Sequence, residues 1–270
     1  MSSLNNIPGL EEAISSGDLD AVTKLYITAN KAQQPALLTT IAEQAARKSQ
    51  VDILDWCCHA GLPLPKDSLN NELYEQACMS RSTGVLDVLV RHGLDLNSNH
   101  SEFVGDALGL AAYHGDVDLA RLLLGRGGAD PDSTWGYQEH EAGVWAVVGP
   151  NKSLDILRLM LEHGWTQKGS TAHIAAAETG DMQALKLLVE AENAAEMECA
   201  DPWWPIPSEG KGEPGTALYR AALNGQEEAV RYLLEKGADP SYKDAKGRSC
   251  YWAAKEGGNE KVIALFQGRG

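Results

Sequence analysis

The feature that most constrains this chain is a pattern that returns in phase along its length. Gly215 to Pro240 reads GTALYRAALNGQEEAVRYLLEKGADP, Gly105 to Pro131 reads GDALGLAAYHGDVDLARLLLGRGGADP, and Gly169 to Glu192 reads GSTAHIAAAETGDMQALKLLVEAE. Each segment has an Ala-Ala pair, a glycine three residues after it, and a Leu-rich run about seven residues later. Anchoring on the glycine position gives Gly17, Ser49, Arg81, Gly115, Lys152, Gly180, Gly225 and Gly258, with spacings of 32, 32, 34, 37, 28, 45 and 33. A period in this range is the mark of a stacked array in which each unit cannot bury its apolar face alone. The 270 residues are near the limit for one compact core but ordinary for such an array.

Each unit reads as two short helices. Ala221 and Ala222, like Ala111 with Ala112 and Ala176 with Ala177, allow a close approach by the neighbouring helix. The glycine turns the chain, and Val230, Leu233 and Leu234 share one face of the second helix. The GADP ending supplies a glycine suited to positive φ and a proline that blocks continuation.

These residues resemble ankyrin repeats over about 260 of the 270 residues. The family's T-P-L-H helix opening survives in part at Thr216-Ala217-Leu218-Tyr219, Thr171-Ala172-His173-Ile174 and Ser249-Cys250-Tyr251-Trp252. Its Gly-Ala-Asp ending is clear at Gly128-Ala129-Asp130 and Gly237-Ala238-Asp239. The first three units are the most diverged, with Ser49 and Arg81 in place of the turn glycine. The resemblance implies an all-α solenoid of about eight repeats with finger loops. The expected organisation is a tail over 1–9 and a single repeat domain over 10–270.

The two long spacings place extra residues in two fingers, 132–143 (DSTWGYQEHEAG) and 199–215 (CADPWWPIPSEGKGEPG). In an ankyrin-like stack the fingers project from one side, beside the groove of inner helices. Trp135, Tyr137, His140, Trp203 and Trp204 are therefore expected together on that side. Trp203 and Trp204 are adjacent, and neighbours in an extended segment point opposite ways, so one ring is expected to anchor the finger and the other to be presented. Tyr113 and His114, at the end of a first helix, join them as binding candidates. Trp56, Trp145 and Tyr232 fall at core positions of the helices. Trp165 and Trp252 are read as fillers of gaps between repeats, and His59, His92 and His163 as polar caps at helix ends, not ligands.

The implied function is recognition: a preformed groove and finger edge that binds a basic or neutral protein segment through a few aromatic anchors. The alternative is an enzyme or small-molecule receptor with a pocket between the two fingers. Its walls would be Trp135, Tyr137, Trp203 and Trp204, with His140, or Glu139 and Glu141, as the candidate catalytic titrating groups; the flanking carboxylates would raise the His140 pKa. The formal charge is −15, so phosphate backbones and anionic membrane surfaces are disfavoured as partners. No run approaches the roughly 20 apolar residues of a membrane span. Cys57, Cys58, Cys78, Cys199 and Cys250 show neither a disulfide framework nor metal-ligand spacing, which points to a reducing, cytoplasmic or nuclear location without a metal or cofactor. Gly210 to Gly215 matches GxGxxG, but no strand precedes it and Pro214 removes an amide, so it is no phosphate loop.

Overall fold

The computed structural model describes residues 7–64, 66, 68–69, 71–102, 105–133, 141–191 and 215–267. The described residues contain sixteen helices in eight consecutive pairs, and these pairs are the eight units of the sequence pattern. They fall into two compact units, one formed by 1–111 with 116–140 and the other by 112–115 with 141–270.

The first unit holds α1 (Leu10–Ser16) and α2 (Leu19–Thr28), α3 (Gln34–Arg47) and α4 (Val51–His59), then α5 (Glu72–Ser80) and α6 (Thr83–Arg91). α7 (Ala107–His114) follows, its last three residues belonging to the second unit, and α8 (Val117–Leu124) completes the first. First helices pack on first helices (α1 on α3, α3 on α5) and second on second (α2 on α4, α4 on α6, α6 on α8). Two-residue strands β1 (Ser68–Leu69) and β2 (Asn99–His100) pair in parallel between successive loops. That pair is a loop staple rather than a sheet.

The second unit continues with α9 (Ala142–Val148) and α10 (Leu154–Glu162), α11 (Ala172–Thr179) and α12 (Met182–Ala191). It ends with α13 (Ala217–Leu223) and α14 (Glu227–Glu235), then α15 (Cys250–Gly257) and α16 (Glu260–Phe266). Here too α9, α11, α13 and α15 stack in order, as do α10, α12, α14 and α16.

The alanine pairs work as their size suggests. Ala45, Ala46, Ala111, Ala112, Ala176, Ala177, Ala221 and Ala222 are fully buried between first helices. The first of each pair also closes the turn. The amides of Gln50, Asp116, Asp181 and Gln226 donate to Ala45, Ala111, Ala176 and Ala221, five residues back, at 2.8–2.9 Å. The Leu, Ile and Val residues of the second helices form the other half of the core, each worth about 2 kcal/mol when fully buried.

Turn residues show where the repeat pattern departs from simple glycine spacing. Ser49 and Arg81 stand at φ 57° and 53°, the same left-handed conformation as Gly180 at 71°. Their units are regular repeats despite the missing glycine. Lys152 is different. Its turn has no residue at positive φ; α9 ends at Gly149 (φ −57°), and the Ser153 amide reaches back seven residues to Ala146 at 2.9 Å. Two of the extra residues before Lys152 therefore lie in the helix–helix turn, not in the finger. The finger itself ends at Glu141, because Ala142 and Gly143 already belong to α9.

Several aromatic expectations are also refined. Trp145 and Trp165 are buried, and Gly143 makes room for the Trp165 ring, which lies where a β-carbon would be. Trp56 and Tyr232 are only half-buried. Trp56 meets Tyr26 edge-on at 5.3 Å, and Tyr232 lies under the ammonium groups of Lys236 and Lys186 at 5.4 and 5.9 Å. Trp252 is half-buried beneath the Arg248 guanidinium at 4.4 Å. Tyr232, on the second helix α14, thus leaves its outer face to lysine side chains.

Candidate interaction face

The ends of the first helices in the second unit carry the candidate site. Gly115 turns the chain after α7 and leaves Tyr113 and His114 half-buried. Tyr113 meets Trp145 of α9 edge-to-face, with ring centroids 4.8 Å apart at 88°, and meets His114 at 5.0 Å and 89°. Such edge contacts place the electron-poor rim of one ring on the face of the next and hold each rotamer. Two residues predicted to bind thus join a third, Trp145, that the sequence pattern assigned to the core. At 8% exposure Trp145 is core, and it supports Tyr113 from beneath.

Farther along the same row of helices, Arg220 of α13 is 1% exposed and bridges to Glu178 at the end of α11. Its Nη2 donates to Oε1 at 2.7 Å and its Nε to Oε2 at 3.3 Å. The geometry is bidentate, which compensates an otherwise costly buried guanidinium. Gln226 adds a donor to the Glu178 carbonyl at 3.0 Å. In the last repeat, Tyr219 Oη donates to Asp244 at 3.1 Å and Arg248 Nε donates to the same carboxylate at 2.5 Å. Sequence reading missed both networks. The available signal was the charged residue inside the otherwise apolar first helix of the seventh unit, Arg220 in ALYRAAL.

His173, from the partial T-P-L-H opening, is 1% exposed, and burial draws its pKa down to about 4. It is a neutral packing group at pH 7. Asp106, ahead of α7 in the first unit, is pushed up to about 6 by burial; its carboxylate accepts from the Gly109 amide. It sits beside a cavity of about 20 Å³ lined by Asn99, Asp130 and Ser133, room for a single water. A larger groove of about 410 Å³ runs along α10 and α12, lined by Lys152, Asp155, Arg158 and Asp181. Its charges pair among themselves, Arg158 with Asp155 at 2.8 Å and Lys152 with Asp181 at 4.0 Å.

Of the predicted finger residues, Trp135, Tyr137, Glu139, His140, Trp203 and Trp204 lie outside the described residues. Glu141 lies within them. Its carboxylate accepts from Ser170 Oγ and from the Thr171 amide, the latter at 3.1 Å. It ties the start of α9 to the loop before α11, both bonds falling on Oε1. Among the described residues Cys57, Cys58, Cys78 and Cys250 form no disulfide, and no helix is long and apolar enough to cross a membrane.

Comparison with known proteins agrees with this geometry. The family model for ankyrin repeats in three copies matches residues 143–244, and the single-repeat model matches 107–135. The E3 ubiquitin-protein ligase KEG of Arabidopsis thaliana is 28% identical over 206 residues, which is 70% of this chain. The matched part is 12% of the ligase's length. Among solved structures, the ankyrin repeat protein EF0377 aligns with TM-score 0.54 and 22% identity over 73% of this chain and 97% of its own. The ankyrin repeat domain of Bcl-3, a member of the IkappaB family, aligns with TM-score 0.50 and 21% identity over 97% of this chain and 99% of its own. At these identities the solved structures speak to the fold alone. The in-phase turns, the buried alanine pairs, the stacked helix hairpins and the matched repeats lead to one conclusion: this chain belongs to the ankyrin repeat family.

Proposed function

We propose that the chain is a recognition scaffold that holds a basic or neutral segment of a partner protein at the first-helix ends of its second unit. Ankyrin repeats generally serve protein–protein interaction, and the finer reading rests on the Tyr113–His114–Trp145 cluster. Two half-buried rings are braced there by a buried third, so little side-chain entropy remains to be lost on binding. Glu178, with its carboxylate held by Arg220, lies at the corresponding place two residues before its turn glycine. The overall charge of −15 favours a basic or neutral partner over an acidic one. Trp203 and Trp204 extend the same reading to the long finger, one ring anchoring it and the other presented.

Affinity capture with immobilised chain, followed by mass spectrometry, tests this. A reproducible set of retained proteins is expected. The pair Tyr113→Ala with His114→Ala should weaken their binding by about 2 kcal/mol, the usual loss for an aromatic hot spot. Replacing 199–213 by a short turn should weaken it as much. An unchanged retained set in both variants would exclude these residues as the contact surface.

A further inference from the structure

Three side chains that sequence spacing leaves apart meet on the second helices of the first unit. His59 ends α4, Asp55 lies one turn before it, and His92 follows α6 in the next repeat. His92 Nε2 is 2.9 Å from Asp55 Oδ1, and His59 Nδ1 is 3.5 Å from Asp55 Oδ2. The two imidazoles meet edge-on with centroids 4.8 Å apart. One ligand atom from each residue lies within 4.8 Å of the others, and no other such trio of His, Cys, Asp or Glu occurs among the described residues. From this juxtaposition we propose that Asp55, His59 and His92 form a binding site for a divalent transition-metal cation of the zinc class, bridging two consecutive repeats.

The donor chemistry suits such an ion. Two neutral imidazoles and one carboxylate are ligands that zinc accepts in sites with an open position. The side chains are 67% exposed for His59, 32% for Asp55 and 22% for His92, so a hydrated ion can reach them. Small rotations about the side-chain bonds bring three atoms within 4.8 Å to the spacing that zinc requires. The neighbouring groups leave room for the cation. Arg91 is 3.8 Å from Asp55 but donates to Asp87 at 3.0 Å, where its charge has its nearer partner. His163 shows what an ordinary helix-end histidine does: its Nδ1 bonds the Leu159 carbonyl at 2.8 Å. His59 makes the same bond to Asp55 at 2.9 Å, and His92 does not.

Isothermal titration of the full chain with zinc chloride in a non-coordinating buffer tests the site, with Co²⁺ absorption reporting the ligand geometry. One zinc per chain is expected, with a rise in the thermal midpoint because the ion binds the folded chain. His59→Gln and His92→Gln should each weaken binding at least about tenfold, while His163→Gln leaves it unchanged. His59 is the decisive position, since its exposed ring can be replaced without disturbing the fold, and circular dichroism checks both variants. Absence of saturable binding up to millimolar zinc, or equal binding by wild type and His59→Gln, overturns the proposal.

Discussion

Turns that carry glycine and turns that do not are solved differently, and the difference lies in the next repeat. Behind Gly17 stands Gln50, which donates to the Ser15 carbonyl at 3.1 Å. Behind Gly180 stands Gln226, bonded to Glu178 at 3.0 Å, and behind Gly225 stands Asn259, bonded to Gly225 itself at 2.8 Å. Each amide belongs to the residue that begins the following second helix, and its side chain lies over the turn glycine in the space a β-carbon would take. Where the turn residue is not glycine, no amide follows. Arg81 is matched by Asp116, with two hydrogen bonds at 2.7 and 2.8 Å, and Lys152 by Asp181 at 4.0 Å. Ser49 is matched by the short Ser82, which caps its own helix. Glycine with an amide clasp (Gly17, Gly180, Gly225) and a basic residue with aspartate (Arg81, Lys152) are two ways of joining consecutive turns, while Gly115 has the Asn151 backbone against it instead. The choice at one repeat constrains the residue some 29–46 positions on.

The largest effect is expected where backbone fills the glycine's space. At Gly115 an added methyl would strike the Asn151 carbonyl, and the residue is also at φ 68°. Gly115→Ala should cost about 2–4 kcal/mol in urea unfolding, combining left-handed strain with overpacking. Gly180→Ala meets only the flexible end of Gln226 and should cost about 1–2 kcal/mol. Equal losses at the two sites would mean that the Asn151 backbone contact adds nothing beyond backbone strain.

An exchange of one clasp for the other comes next in size. Arg81→Gly alone relieves left-handed strain but removes the Asp116 partner, whose exposed pair contributes about 1 kcal/mol or less, so little net change is expected. Adding Asp116→Gln should then raise stability by about 0.5–1 kcal/mol by rebuilding the glycine–amide arrangement. A double variant no more stable than Arg81→Gly breaks the comparison. Smallest is Ser49→Gly. Its exposed side chain caps nothing, and relief of strain is partly offset by glycine's greater freedom when unfolded, for a gain of about 0.5 kcal/mol in thermal unfolding.

Much of this molecule was legible in local pattern. The alanine pair, the turn residue and the Leu-rich face lie within about 20 consecutive residues of each other, so stacking preserves what each unit announces. Asp95, Asp130 and Asp239, at the ends of their units, each accept from the amide two residues on at 2.8–2.9 Å, local chemistry readable from one strand of text. Tyr113 and His114 were readable for the same reason: their position relative to Gly115 fixes which end of the helix they occupy.

Other features depend on how one repeat lies on another. Glu178 and Arg220 are 42 residues apart, Asp55 and His92 are 37 apart, and Arg81 and Asp116 are 35 apart. Each pair is set by the stacking register between units, which the spacing of anchors approximates but does not resolve to a side-chain contact. Lys152 shows the limit plainly. Counting residues put it at a regular turn, whereas packing moved two residues from the finger into the turn and ended α9 at Gly149. The sequence by itself determined that there are eight helix hairpins and which faces they bury, because those follow from short-range periodicity. Only the tertiary structure decided which polar side chains meet, because a hydrogen bond between repeats requires atoms to agree within about 0.5 Å, finer than any period in the chain.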